Sequence, residues 1–127
     1  MATLSGCGGG GSASSRAAVV PVSERDFSIT APKRLSSGDV LLRVRNRGPD
    51  DHELIVVRAD DGRLPMRRDG ITIDEEALQR AEVGALEPGQ PGAVRELQLN
   101  LAPGRYVLFC NMNGHYLGGM HRNLVVR

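Results

Sequence analysis

Short runs of the chain alternate with a period of two, and this constrains the fold more than any other feature. Val40, Leu42 and Val44 share one parity, with Leu41, Arg43 and Arg45 on the other, the pattern of a half-buried strand. Leu54 and Val56 share a face with His52, and Ile55 and Val57 take the opposite one. Leu97, Leu99 and Leu101 point inward together. Tyr106, Leu108 and Cys110 alternate with Val107 and Phe109, and Leu124 to Val126 ends the chain as a strand. Val19, Val20 and Val22 suggest a first strand, and Asp26 to Thr30 a second, with Phe27 and Ile29 on one face. Turn chemistry separates the runs: Ser36-Ser-Gly-Asp39, Asn46-Arg-Gly-Pro-Asp-Asp51, Asp60-Asp-Gly62, Glu87-Pro-Gly-Gln-Pro-Gly92 and Ala102-Pro-Gly104.

Residues 74–83 read differently. Asp74 can cap a helix, Glu75 and Glu76 suit its first turn, and Leu78 and Ala81 share a side. About seven short strands, frequent Gly/Pro turns and one short helix predict an all-β fold, an antiparallel Greek-key β-sandwich. Strands and helices do not alternate regularly, as a parallel sheet would require, and no internal repeat is visible.

The 127 residues allow one folded domain, expected over residues 19–127. Residues 8–18 read as a flexible Gly/Ser linker. Residues 1–7 end in Leu4-Ser-Gly-Cys7, which resembles the lipobox at which a bacterial signal peptide is cut and its cysteine lipidated, although no charged and apolar stretch precedes it. Sixteen Lys and Arg against fifteen Asp and Glu give no electrostatic reason to expect nucleic acid as a partner. With no Trp, two Tyr and two Phe, a base-stacking platform is not expected either. No segment approaches the ~18 apolar residues of a membrane helix. Any membrane attachment is expected only through a lipid on Cys7.

Cys110, His115 and Met120 form the pattern C-x4-H-x4-M at the end of an alternating strand. A thiolate, an imidazole and a thioether are a soft-ligand set. Calcium and magnesium want oxygen, and zinc has little use for a thioether. Two histidines, one cysteine and a weak axial methionine make the type 1 copper electron-transfer site. His52, at the start of another apolar run, can supply the second histidine. Taken singly, each of the four has an ordinary reading: Cys110 and Met120 as core packing, for example, and His52, at a strand start, as a surface or capping residue. Taken together they point to copper. His121 is expected to lie on the surface, and Met112 to shield the site or touch a partner.

The segment Leu101-Ala-Pro-Gly-Arg-Tyr-Val-Leu-Phe-Cys-Asn-Met-Asn-Gly-His115, with the upstream Asn-x-Gly-Pro-x-x-His52, resembles the ligand strand and loop of the cupredoxins. The resemblance covers residues 26–127. It is strongest to bacterial plastocyanin-like proteins with a Gly-His-Tyr-x-x-Gly-Met ending. It implies a Greek-key sandwich holding one copper ion at one end, bound by His52, Cys110, His115 and Met120. One position departs from the family: many members carry Asn after the first histidine to brace the ligand loop, and here Glu53 stands there. The backbone N–H of Glu53 can still donate to the Cys110 sulfur.

These residues favour an electron carrier cycling between Cu(I) and Cu(II), not an enzyme. Three histidines are too few for a trinuclear oxidase cluster, and one cysteine in the fold is too few for a binuclear site. The alternative is a copper-handling protein with no electron-transfer role, although delivery sites more often use Met-rich or paired-Cys runs. A metal-free binding module would not need the complete ligand set. The expected partners are redox proteins met transiently by a monomer, outside the cytoplasm.

Overall fold

Nine strands form two sheets in the computed structural model, which describes residues 17–127. The lipobox-like tetrapeptide and residues 8–16 of the expected linker lie outside the described residues. One sheet holds β1 (Ala18–Arg25), β2 (Ser28–Thr30), β4 (Gly38–Asn46) and β7 (Val94–Leu101), in the order β2-β1-β4-β7. The other holds β3 (Arg34–Leu35), β5 (His52–Arg58), β6 (Glu82–Gly89), β8 (Gly104–Phe109) and β9 (His121–Val126), in the order β3-β9-β8-β5-β6.

The all-β sandwich matches the sequence reading, but its pairings are mixed. β1 runs parallel to β4, with Val22 opposite Val44, and β3 runs parallel to β9. Between β1 and β4 the chain pairs β2 back onto β1, crosses to the other sheet as β3, and returns. β4 therefore enters beside β1 in the same direction.

Period-two patterning explains the core. Val20 and Val22 of β1, Val40, Leu42 and Val44 of β4, and Leu99 and Leu101 of β7 face Leu54 and Val56 of β5, Tyr106 and Leu108 of β8, and Leu124 and Val126 of β9. The opposite parity of the five-stranded sheet is buried too. Ile55, Val57, Val107 and Phe109 pack with Ile73, and Leu64, Leu78, Ala81 and Tyr116 lie against them. Both faces of β5 and β8 are covered, so these strands read as nearly continuous apolar runs.

Three local expectations fail. Only Glu76–Leu78 of the expected helix forms, as one 3-10 turn. Its N-cap is Glu75, whose side chain makes no capping bond, while Asp74, the expected cap, lies one residue earlier and accepts the Ala77 N–H at 3.2 Å. The helix stops because Ala81 gives its carbonyl to Arg58 of β5 (2.8 Å), and the chain then pairs as β6. Glu87, Pro88 and Gly89 end that strand and do not form a loop. Proline is tolerated because β6 is a sheet edge. Phe27 does not share a face with Ile29. It sits in the β1–β2 turn at φ 69°, half exposed, while Ile29 is buried. No helix among the described residues is long and apolar enough to cross a membrane.

Candidate metal centre

β5 begins with His52 and β8 ends with Phe109, one residue before Cys110. The antiparallel pairing of Ile55 with Phe109 brings these ends together. The 110–120 loop between β8 and β9 closes through its own backbone. Cys110 N–H donates to Met120 O (3.2 Å), Met120 N–H to His115 O (3.0 Å) and His115 N–H to Met112 O (2.9 Å). Tight closure depends on glycine where the loop meets the β1–β2 turn. A Cβ on Gly118 would lie 2.2 Å from a Phe27 ring carbon, and one on Gly119 would lie 2.9 Å from the Phe27 carbonyl oxygen.

The four residues singled out in the sequence are all buried at this end of the sandwich: His52, Cys110 and Met120 at 0 % exposure and His115 at 6 %. Cys110 Sγ lies 3.5 Å from His115 Nδ1. The two imidazole rings meet edge to face, with centroids 5.1 Å apart. Met120 and Cys110 belong to the same buried cluster.

Each histidine also has a carboxylate. His52 Nε2 lies 2.8 Å from Asp26 Oδ1, and His115 Nε2 lies 3.3 Å from Asp50 Oδ2. His52 Nδ1 lies 2.8 Å from Asn46 Oδ1, so both of its ring nitrogens are engaged. Asn46 is itself fixed: its amide donates to the carbonyls of Asp50 and Gly89 (both 2.9 Å), and its Oδ1 also accepts the Gly48 N–H at 2.7 Å. The donor atoms of Asp26, His52 and His115 all lie within 4.8 Å of one another. Acceptors behind imidazoles orient them and raise their basicity as ligands.

Electrostatics prepares both kinds of donor. Burial pushes His52 below its ordinary pKa, and Asp26 only partly opposes this, which favours the neutral imidazole a metal needs. Burial would raise the Asp26 carboxyl, but the Asp50 N–H and His52 outweigh it and hold the pKa low. Burial raises the Cys110 thiol to about 11, against backbone N–H donation from Met112 and Glu53; the Glu53 and Glu24 carboxylates push it further up. A buried thiol surrounded by N–H donors but short of positive charge suits a cation that can replace the proton. The donor set therefore fits copper.

Sequence reasoning missed Asp26, Asn46, Asp50 and Asn111. Asn46 stands in the Asn-x-Gly-Pro turn, where its sequence signal is that of a turn residue alone. Asp26 carries no signal along the chain, because it reaches His52 only when β1 and β4 lie side by side. Glu53 replaces the missing asparagine by another route: its carboxylate accepts the Asn111 N–H at 3.1 Å, bracing the ligand loop. Burial raises the Glu53 carboxyl, with that N–H opposing. His121 is exposed, its ring 4.6 Å from that of Tyr116, and Met112 packs half-buried against the core.

No family model and no curated protein matches this sequence. Solved structures do match in fold. Reduced auracyanin from Roseiflexus castenholzii superposes with a TM-score of 0.63 at 17% identity, covering 87% of this chain and 98% of its own. Rusticyanin from Thiobacillus ferrooxidans gives 0.63 at 15% identity, covering 88% and 79%. Auracyanin A, a "blue" copper protein from Chloroflexus aurantiacus, gives 0.57 at 18% identity, covering 84% and 99%.

Proposed function

Starting from this cupredoxin-like fold, we propose that the protein is a mononuclear type 1 copper electron carrier, with His52, Cys110, His115 and Met120 as the ligands. The observation that carries the reading is the buried contact of Cys110 with His115, at 3.5 Å, beside the ring of His52. Bound copper would supply one-electron chemistry by alternating between Cu(I) and Cu(II).

The chain's own residues have definable roles. Cys110 gives up its proton to bind metal, and the N–H groups of Met112 and Glu53 stabilise the thiolate. Asp50 orients His115. His52 releases one of its two partners, Asn46 or Asp26, to free a nitrogen. The rigid sheets hold β5 and β8, so the donors need little rearrangement when the charge changes. Phe27 lies edge to face with His115, and Leu117 is exposed on the same loop. Together they offer an apolar rim where a redox partner can dock briefly.

An optical spectrum of the purified protein with Cu(II), before and after ascorbate, tests this. An intense visible band that bleaches on reduction is expected. A colourless protein that retains zinc would overturn the reading.

The second reading, copper handling without electron transfer, draws on the Asp26–His52–His115 cluster, which suits a divalent ion without the thiolate. It expects Cys110→Ser to keep most of its Cu(II) affinity, whereas the electron-carrier reading expects a large loss.

The proposed location is extracytoplasmic, with a lipid on Cys7. β1 runs from Ala18 towards Asp26, so it begins at the pole opposite the site. The genomic DNA upstream of Met1 tests the anchor: an in-frame stretch encoding basic residues and then about ten apolar ones is expected, and a stop codon immediately upstream would exclude it.

A further inference from the structure

Three arginines line one shallow cleft beside the candidate metal centre, and among the described residues no carboxylate shares it. Arg25 closes β1, Arg45 lies on β4 and Arg47 follows β4, with Asn46 and Gly92 between them, around a hollow of ≈ 290 Å³. Strand parity produces the cluster. Leu42, Val44 and Asn46 face inward, so Arg43, Arg45 and Arg47 face out and are exposed.

Neutralisation is sparse. Arg43 pairs with Glu96 at 2.8 Å, but among the described residues Arg25, Arg45 and Arg47 form no ion pair. Arg47 Nε donates only to Ser23 Oγ, at 3.3 Å. Of the carboxylates in the adjoining turns, Asp26 and Asp50 are engaged with His52 and His115, and exposed Asp51 forms no ion pair with the three arginines. The whole chain carries a net charge of only +1, so this concentration is local and not a consequence of a basic protein. Three adjacent guanidinium groups repel one another, and an opposing negative surface would relieve that repulsion.

We propose that this arginine cleft docks a carboxylate-bearing surface of a partner protein. Its shallowness suits a convex protein surface better than an enclosed free anion. Exposed Val94, opposite Arg45 across the sheet, adds apolar contact. Asn46 belongs to the cleft, and its Oδ1 lies 2.8 Å from His52 Nδ1, so a docked partner sits one side chain from that histidine. The proposal extends the electron-carrier reading by naming its partner's surface, yet binding can be read with no electron moving, and the two fail separately.

The test is a titration of isotope-labelled full-length protein with an oligoglutamate peptide, followed by amide chemical shifts at low and high ionic strength. Shifts are expected at Arg25, Arg45, Arg47 and Gly92, disappearing at high salt. The double variant R45S/R47S should bind about tenfold more weakly while its copper spectrum stays unchanged. As a control, K33S/R34S removes charge from a separate groove, lined by Lys33, Arg34, His121 and Arg122, and should bind as wild type. Three outcomes would overturn the proposal: shifts confined to the Lys33 groove, inorganic phosphate binding as tightly as the peptide, or binding in R45S/R47S equal to wild type. If the peptide binds as expected but the optical test finds no copper band, the docking face stands and the electron-carrier reading falls.

Discussion

Cys110 and Glu24 are both fully buried ionisable groups near the same end of the sandwich, and their surroundings are opposites. Burial raises both, the thiol to about 11 and the carboxyl to about 8. Around the sulfur, two backbone N–H groups and His115 are already in place for the charged form. Around the carboxyl there is nothing equivalent. Neither Glu24 oxygen has a hydrogen-bond partner among the described residues, and the nearby Arg95 spends its N–H groups on the carbonyls of Glu87 and His52. Burial alone therefore does not distinguish a working group from an idle one; the donors gathered for the anion do. Cys110 sits where an anion plus a metal can be held, and Glu24 sits where only a neutral acid is comfortable.

The sharpest way to break this contrast is colour. Cys110→Ser should abolish the intense Cu(II) band completely, because the charge-transfer transition needs the thiolate. Glu24→Gln should leave the band in place. A Gln variant that fails to colour while remaining folded by circular dichroism would put Glu24 inside the working site and erase the distinction.

Stability against pH tests the other half. Glu24 is raised from 4.5 to about 8, so between these values the native protein holds a proton that the unfolded chain has released. Native stability should then fall as pH rises through that window, by on the order of 3–5 kcal/mol in total. Cys110, raised from 9.0 to about 11, acts in the same direction only above that range, in metal-free protein. Glu24→Gln should remove the decline and be the more stable form at pH 8, read from urea unfolding across the series. Parallel pH curves for the two proteins would mean that Glu24 is ionised in the native state.

The contrast also marks what the sequence could and could not reveal. The strand parities of β4, β5 and β8 were readable, because one register shift would turn an entire apolar face to water. The Cys110-to-Met120 loop was readable because its donors lie close together in the chain. Glu24 was not, since β1 had to run parallel to β4 before its parity placed it inside. Asp26 reaches His52 across twenty-six positions, and Asn46 touches His52 through a turn that announces only its shape. The helix is shorter than its sequence pattern for a related reason: Leu78 and Ala81 have a helical spacing, but β5 offers Ala81 a strand partner, and tertiary pairing wins. Local chemistry was legible, whereas contacts created by sheet order were not.

Metal binding should strengthen the Cys110 side specifically. Copper would bind the folded site and not the open chain, so at a thousandfold excess over the dissociation constant the gain is about 4 kcal/mol. Cys110→Ser should lose most of that gain, and Glu24→Gln should keep it. The metal-free domain should still be folded, because the apolar core between the sheets involves none of the proposed ligands except Cys110 and Met120. Calorimetry with and without Cu(II) measures both quantities. A wild-type protein that melts at the same temperature in each case would mean that the site is not built for the ion.

The smallest expected effect concerns Met120, and it separates a ligand from a neighbour most finely. Met120 is fully buried within the core cluster, and leucine nearly matches it in volume, so Met120→Leu should cost less than about 1.5 kcal/mol of stability. The thiolate and both histidines remain, so the protein should still colour. Its reduction potential should rise, because losing a weak thioether donor disfavours Cu(II) more than Cu(I). Glu24→Gln, measured at pH 6 where the native acid is neutral, should move the potential far less, because an amide then replaces a group of equal charge. Equilibrium redox titration of both variants at that pH makes the comparison direct. If Met120→Leu leaves the potential unchanged, the axial donor is another residue, and half-buried Met112 on the same loop is the one to substitute next.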